Sequence, residues 1–118
     1  MLRRVSKLSD QEMADVATWY ASPAPASHAR AGGEPPALIS GGDPSRKLPG
    51  CATCHGPDGA GQAPLIPRLA GQKALYLELA LQDFRAGIRR NLDASTVQVF
   101  KALTDQEIDI AVKYFSGL

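Results

Sequence analysis

The sequence predicts a small all-α protein, and three observations support this prediction. Residues 73–86 (KALYLELALQDFRA) repeat apolar side chains at the i, i+3, i+4 and i+7 spacing of a helix with one buried face: Leu77, Ala80, Leu81 and Phe84. A second stripe follows Thr104 and Glu107, which stand at capping-box spacing: Ile108, Ala111, Val112 and Phe115. No segment alternates strictly between apolar and polar residues, as a half-buried strand does. We therefore expect helices and little or no sheet.

Length and composition indicate one soluble folded domain. The chain has 118 residues, of which 44% are apolar and 21% charged, and its formal net charge is +1. So small a charge gives no reason to expect a nucleic-acid or anionic membrane partner. No apolar run reaches the roughly 18 to 20 residues of a transmembrane segment. The first ten residues (MLRRVSKLSD) are too polar for a secretory signal.

The chain divides into three regions of different composition. Residues 1–21 have a helical pattern, residues 22–47 form a Pro/Gly-rich linker, and residues 48–118 contain both cysteines and most of the apolar periodicity. Within the linker, residues 37–39 (ALI) could form a short packed turn. We expect the folded domain to occupy residues 48–118.

An internal repeat relates the first region to the last helix. Shifted by 95 positions, residues 1–22 overlay residues 96–117, and both segments contain Asp-Gln-Glu after a Ser or Thr cap. The N-terminal stripe that matches the C-terminal one is Met13, Val16, Ala17 and Tyr20. A generic capped helix would explain the periodicity, but it explains the shared Asp-Gln-Glu less well. The repeat predicts that residues 1–21 are the last helix of a preceding domain of the same kind.

The motif that carries chemistry is Cys51-Ala52-Thr53-Cys54-His55. C-x-x-C-H is the attachment pattern of c-type haem, in which two thiols add to the two vinyl groups of the porphyrin and the imidazole becomes an iron ligand. Structural zinc is an alternative, but it needs four ligands and His28 is the only other candidate. A thioredoxin-like pair would need a βαβ setting. A plain disulfide beside a solvated histidine is the remaining alternative.

From Leu48 onward the chain resembles a class I cytochrome c, specifically a domain of the tandem dihaem type called cytochrome c-four. The resemblance covers residues 38–118 and rests on motifs in the family's order: CATCHGPDG, PRLAGQ, YLELALQDFRAGIR and LTDQEI. It implies a small fold of a few helices around one covalent haem c with its iron. It also implies single-electron transfer between redox partner proteins in a respiratory or related chain, in the periplasm, with no enzymatic activity.

The resemblance also assigns residues to the site. Cys51 and Cys54 would hold the haem, His55 would be the proximal iron ligand, and the Pro67 carbonyl would accept the imidazole N–H. Leu69 would wall the pocket, together with the apolar face of residues 73–86, although an ordinary core explains these side chains equally well. The sequence itself, apart from the resemblance, places Arg85, Arg89 and Arg90 in a small basic cluster that could steer an acidic partner or neutralise haem propionates; a solvated surface is the alternative.

One departure from the family concerns the sixth iron ligand. Family members supply a methionine there, and counting back from Leu103 puts that position at Ser95 or Thr96. By the repeat, Met1 is the counterpart of Thr96, so we expect the chain to begin at the axial methionine of a longer two-haem protein whose signal peptide preceded it. The sixth position could hold water or stay empty, or it could take Met1, His28 or a lysine as its ligand. An open site would favour an alternative function, binding of small gases or peroxide.

Overall fold

The computed structural model describes residues 6–22, 34–89 and 94–118, with backbone only for Ala94 and Ser95. Across these residues the chain forms helices and no strand, apart from two isolated bridges, Asp43–Leu48 and Gln62–Ile66. The helices are α1 (Asp10–Ala21), α2 (Ala37–Ser40), α3 (Ala52–His55), α4 (Ala74–Arg85), α5 (Ala94–Lys101) and α6 (Asp105–Ser116), with a 3₁₀ turn at Pro44–Arg46. The all-α prediction is confirmed. Within the described ranges no helix is long and apolar enough to cross a bilayer.

The helices α4 and α6 are those that the periodicity predicts. Helix α4 ends at Arg85 and is followed by Gly87 at φ +71°, a left-handed conformation that favours glycine. Helix α6 begins with the predicted capping box: the Glu107 amide donates to the Thr104 hydroxyl at 3.3 Å, and the Thr104 amide donates to the Glu107 carboxylate at 2.8 Å. The two helices pack against each other.

The core is built around the apolar face of α6. Its four predicted stripe residues are all buried, and they join Ile39, Ala70, Leu77 and Leu118 in one cluster. Ile39 is completely buried in α2, so the packed turn expected at residues 37–39 is present. The packed domain therefore begins before residue 48, inside the segment predicted to be linker. The Pro and Gly residues of this segment predict a linker, but the burial of the Ile39 side chain against the rest of the core makes it part of the domain.

Helix α1 has the same cap as α6 but a different environment. The Glu12 amide donates to the Ser9 hydroxyl at 3.3 Å and the Ser9 amide donates to the Glu12 carboxylate at 2.8 Å, the same geometry as the Thr104 cap. The stripe, however, is exposed: Tyr20 is 78% accessible, whereas its repeat counterpart Phe115 is 2% accessible. Helices α1 and α6 thus share a sequence pattern, but the apolar face of α6 is buried and that of α1 is exposed.

Two arginines hold the short connection between α5 and α6. Arg46 donates to the Ala102 carbonyl at 3.1 Å and forms an ion pair with the Glu107 carboxylate. Arg46 also donates to Asp43 at 2.6 Å within its own turn. From the other side, Arg85 donates to the Leu103 carbonyl at 3.2 Å and to Asp105 at 2.6 Å. The connection is therefore tied both to the turn before Cys51 and to the end of α4.

This ionic cluster predicts a loss of stability in acid. Hydrogen bonds from Arg46 lower the pKa of Glu107 below its usual 4.5, and hydrogen bonds from Ser45 and then Arg46 lower the pKa of Asp43 from 3.8 to about 2. A depressed folded-state pKa stabilises the fold above the unfolded value and loses that stabilisation as the pH falls through the folded value. We expect the free energy of unfolding to fall between about pH 4.5 and pH 2. Denaturant titrations at constant ionic strength should show that the free energy of unfolding falls less steeply with decreasing pH in Glu107→Gln than in the wild type. An identical pH dependence in the two proteins would contradict the role of Glu107.

Candidate haem site

Both cysteines and the histidine of the motif lie on one helical turn. The His55 amide donates to the Cys51 carbonyl at 3.0 Å and the Cys54 amide donates to the same carbonyl at 3.3 Å. Both cysteines are free thiols; Cys54 is exposed and Cys51 is half-buried. Gly56 ends the turn at φ +79°. Two sulfur atoms on one turn, three residues apart, can reach one edge of a macrocycle, with the imidazole beside them.

The His55 ring is oriented by a backbone contact. Its Nδ1 lies 2.8 Å from the carbonyl oxygen of Pro67. A carbonyl oxygen can only accept, so Nδ1 carries the proton and donates it. The lone pair of the neutral ring is then on Nε2, the nitrogen that can bind a metal. The structure thus brings together four of the residues that the sequence singled out: Cys51, Cys54, His55 and Pro67.

Glycines in the loop after the motif make the His55–Pro67 contact possible. The Gly61 amide donates to the His55 carbonyl at 2.8 Å, and the residue has φ +74°. A Cβ at Gly61 would lie 2.5 Å from the Ile66 oxygen and 2.6 Å from the Pro67 carbonyl. This role of Gly61 was not predicted, although the run GPDGAG indicates that close backbone approach is needed in this loop.

The last helix closes this loop. Tyr114 donates its hydroxyl to the Pro57 carbonyl at 2.8 Å, and the Gly71 amide donates to the Phe115 carbonyl at 2.9 Å. A Cβ at Gly59 would lie 2.8 Å from the Phe115 ring, so the ring packs directly on the loop backbone. Helix α6 therefore fixes the loop whose Pro67 carbonyl orients the imidazole.

The alternatives to haem find no support in this geometry. Burial raises the pKa of the Cys51 thiol, with a smaller contribution from the neighbouring Cys54, which does not favour the thiolate that zinc or a redox pair requires. In the described ranges no three His, Cys, Asp or Glu side chains cluster as a metal site would need. The described residues also lack the βαβ unit of a thioredoxin-like protein.

The apolar residues predicted to wall a haem lie mostly at the edge of the core. Leu69 and Leu81 are half-buried and pack against the core cluster, while Leu77 belongs to it. Phe84 stacks on Phe100 of α5, with ring centroids 4.7 Å apart. This stack joins α4 to the helix that carries residues 95 and 96.

The position that the resemblance predicts for the sixth ligand, Ser95 or Thr96, lies in the first turn of α5. Thr96 is half-buried there. Met13 is on α1 and 40% exposed, whereas Met1 and His28 lie outside the described residues.

The predicted basic cluster is held in local contacts. Arg85 binds the α5–α6 connection described above. Arg89 lies 5.7 Å from the Tyr76 ring centroid and 5.2 Å from that of Phe84, with Asp83 3.9 Å away. Arg90 lies outside the described residues.

The fold and the site together define the class of protein. A small helical domain that presents two free thiols on one turn with an imidazole whose Nδ1 lies against a backbone carbonyl has the donor set of a c-type haem protein. The residues present fit the group: two sulfur atoms for the thioethers, and a nitrogen lone pair for the iron.

Comparison with known proteins agrees with this class. The cytochrome c family profile matches residues 48–118. Cytochrome c4 of Pseudomonas aeruginosa is 37% identical over 122 residues, covering 97% of this chain and 60% of that protein. Cytochrome c-554(548) of Halomonas halodenitrificans is 42% identical over 72 residues, covering 59% of this chain and 87% of that protein. The crystal structure of reduced recombinant cytochrome c4 from Pseudomonas stutzeri superposes with a TM-score of 0.82 at 30% identity, covering 98% of this chain and 64% of that one.

The chain belongs to the cytochrome c family, and its cofactor is covalent haem c with iron. It is similar to cytochrome c4 over nearly its whole length, but it spans only about three fifths of such relatives: 60% of the P. aeruginosa protein and 64% of the P. stutzeri structure. The resemblance read from the sequence is confirmed.

Proposed function

We propose that this protein carries single electrons between redox partners through one haem c. The observation that supports the proposal best is the turn Cys51–His55 with the His55 Nδ1 held 2.8 Å from the Pro67 carbonyl. This arrangement prepares a covalent cofactor site and an imidazole of fixed tautomer, which is what an outer-sphere electron carrier needs. The comparisons give no support to gas or peroxide binding as an alternative, and we do not propose it.

Each residue of the turn has a separate role in this proposal. Haem c supplies a one-electron Fe(III)/Fe(II) couple when bound. Cys51 and Cys54 would hold it through two thioethers, and His55 would provide the proximal nitrogen. Pro67 would keep the imidazole oriented and make its nitrogen a stronger donor, which favours the ferric state. Leu69 and Leu81 would exclude water from one side of the pocket.

An experiment on protein matured in a haem-c-competent host tests this function. We expect one haem per chain that stays attached in acidified organic solvent, and a reversible redox titration with the slope of one electron, about 59 mV per tenfold change in ratio. The double variant Cys51→Ser/Cys54→Ser should lose covalent haem, whereas Thr53→Ser, in the same turn, should keep it. Wild-type protein that releases its pigment, or that shows no reversible one-electron wave, would contradict the proposal.

The compartment and partners follow from the same proposal. Covalent haem attachment of this kind takes place outside the cytoplasm, so we propose the periplasm. Redox proteins are the expected donor and acceptor, and catalysis by side chains is not part of the proposed role.

We also propose that α1 is the terminal helix of another cytochrome c domain. Three observations support this assignment: the repeat at 95 residues, the matching capping boxes of Ser9 and Thr104, and the exposed stripe on α1. The occupant of that stripe would be the remainder of such a domain, with a helix like α4 and a glycine loop like residues 56–61. Residues 22–33 would then lead into the second domain.

A further inference from the structure

The α5–α6 connection is held by two arginines from distant parts of the chain. Arg46 and Arg85 donate to consecutive backbone carbonyls, those of Ala102 and Leu103, at 3.1 and 3.2 Å. Each guanidinium also binds a carboxylate at the start of α6, Glu107 for Arg46 and Asp105 for Arg85. Guanidinium groups can make several such contacts at once because their donors are fixed in a plane.

These contacts couple the turn before the attachment motif to the connection after α5. Arg46 belongs to the turn that Asp43 and Leu48 close through two backbone hydrogen bonds of 2.8 and 3.0 Å, just before Cys51. The Ala102 carbonyl lies directly after α5, whose first turn contains Thr96. Arg46 thus links the start of the attachment motif to the helix that carries the sixth-ligand position.

The geometry of α5 makes its C-terminal end important. Thr96 lies six residues before Ala102, about 9 Å along a helix that rises 1.5 Å per residue. A tilt of roughly 10° at the connection would therefore move Thr96 by about 1.5 Å. The Phe84–Phe100 stack restrains the last turn of the helix, and the two arginines restrain the connection that follows it, from which such a tilt would start.

We propose that Arg46 and Arg85 are positioning residues for the haem site, because they fix α5 and so determine how closely residue 96 approaches the iron on its sixth-ligand side. The inference rests on the proposed function and on the resemblance that puts this side of the iron at Ser95 and Thr96. It adds two residues that act through the backbone carbonyls of Ala102 and Leu103. Glu107 and Asp105 hold the guanidinium groups in place.

The test measures access to the iron in the matured ferric protein. The rate constant for imidazole binding, followed by absorbance at pH 7, should rise about tenfold in Arg46→Gln and in Arg85→Gln, the factor expected from losing one charge-assisted hydrogen bond. The reduction potential should shift in the same variants. In Arg46→Lys, which keeps the charge but loses the planar guanidinium, the rate constant for imidazole binding should rise only about threefold. Lys113→Gln is the matched control, since it removes an exposed ion pair with Asp109 on α6 and should change the rate by less than twofold.

The outcomes separate this inference from the proposed function. A redox titration of the wild-type protein supports or contradicts the proposed electron transfer, whatever the variants show. If both glutamine variants bind imidazole at the wild-type rate and keep the wild-type potential, the positioning role is wrong, even where the denaturation midpoint has fallen. An equal increase in Lys113→Gln would also overturn it. Should a glutamine variant fail to mature, Arg46→Lys decides alone: a rise of about threefold supports the role, and an unchanged rate and potential contradict it.

Discussion

Replacing Gly61 by alanine is expected to raise the reduction potential of the haem by about 40 mV. The new Cβ would stand 2.6 Å from the Pro67 carbonyl, so that carbonyl must move away from His55 Nδ1. The imidazole then loses the hydrogen-bond acceptor that makes it a strong donor to iron. This loss destabilises the ferric state more than the ferrous state, so the reduction potential rises. The figure corresponds to about 1 kcal/mol for one hydrogen bond in a one-electron couple. Spectroelectrochemical titration measures it directly.

The same substitution should also lower the free energy of unfolding by about 1–3 kcal/mol, because alanine is strained at φ +74°. Gly41→Ala is the matched control: its Cβ would meet only the Ala37 oxygen, at 3.5 Å, and its φ is −111°. We expect no change of potential in that variant. An unaltered potential in Gly61→Ala, with haem still attached, would show that Pro67 does not tune the imidazole.

Phe115→Ala should destabilise the protein by about 3–5 kcal/mol, whereas Tyr20→Ala should change stability by less than about 0.5 kcal/mol. The two residues occupy equivalent positions of the repeat, but Phe115 is 2% and Tyr20 78% accessible. Removing the Phe115 ring leaves a cavity between α6 and the Gly59 loop, while removing the Tyr20 ring uncovers nothing. Denaturant titrations of both variants followed by circular dichroism provide the measurement.

The same pair of variants tests the assignment of α1 to another domain. The chain can be fused behind a cytochrome c domain that lacks its own last helix. Tyr20→Ala should then become destabilising, by several kcal/mol if packing matches that of Phe115. The fluorescence of Trp19, the single tryptophan of the chain and 73% exposed, should shift to the blue and be quenched. If Tyr20→Ala remains neutral and Trp19 emits as a solvated indole, the assignment is wrong.

Local sequence rules predicted the parts of the fold that depend on local interactions. The capping boxes at Ser9 and Thr104 and the stripe of α6 follow from residue types at fixed spacing. The buried Ile39 does not, because its place in the core depends on α6, some seventy residues later. A segment rich in Pro and Gly therefore looked like a linker although it contributes to the core.

For the site, the motif supplied the donor atoms and the family resemblance supplied Pro67. The glycine run GPDGAG indicates close backbone approach, but it does not indicate that Gly61 leaves room for the Pro67 carbonyl, since that depends on where the neighbouring backbone lies. Arg46 was missed for a similar reason: its acceptors at Ala102 and Glu107 are 56 and 61 residues away in sequence. Long-range polar contacts leave no periodic signal in a single chain.

Closure of the Gly59 loop by Phe115 has a consequence for biosynthesis. Phe115 lies 60 positions after His55, so a polypeptide that emerges N-terminus first presents both thiols before the helix that completes the core has emerged. During that interval Cys51, which the finished core partly covers, is as accessible as Cys54. The cofactor can thus be attached while the chain is still unfolded, and the C-terminal helix can pack against the loop afterwards.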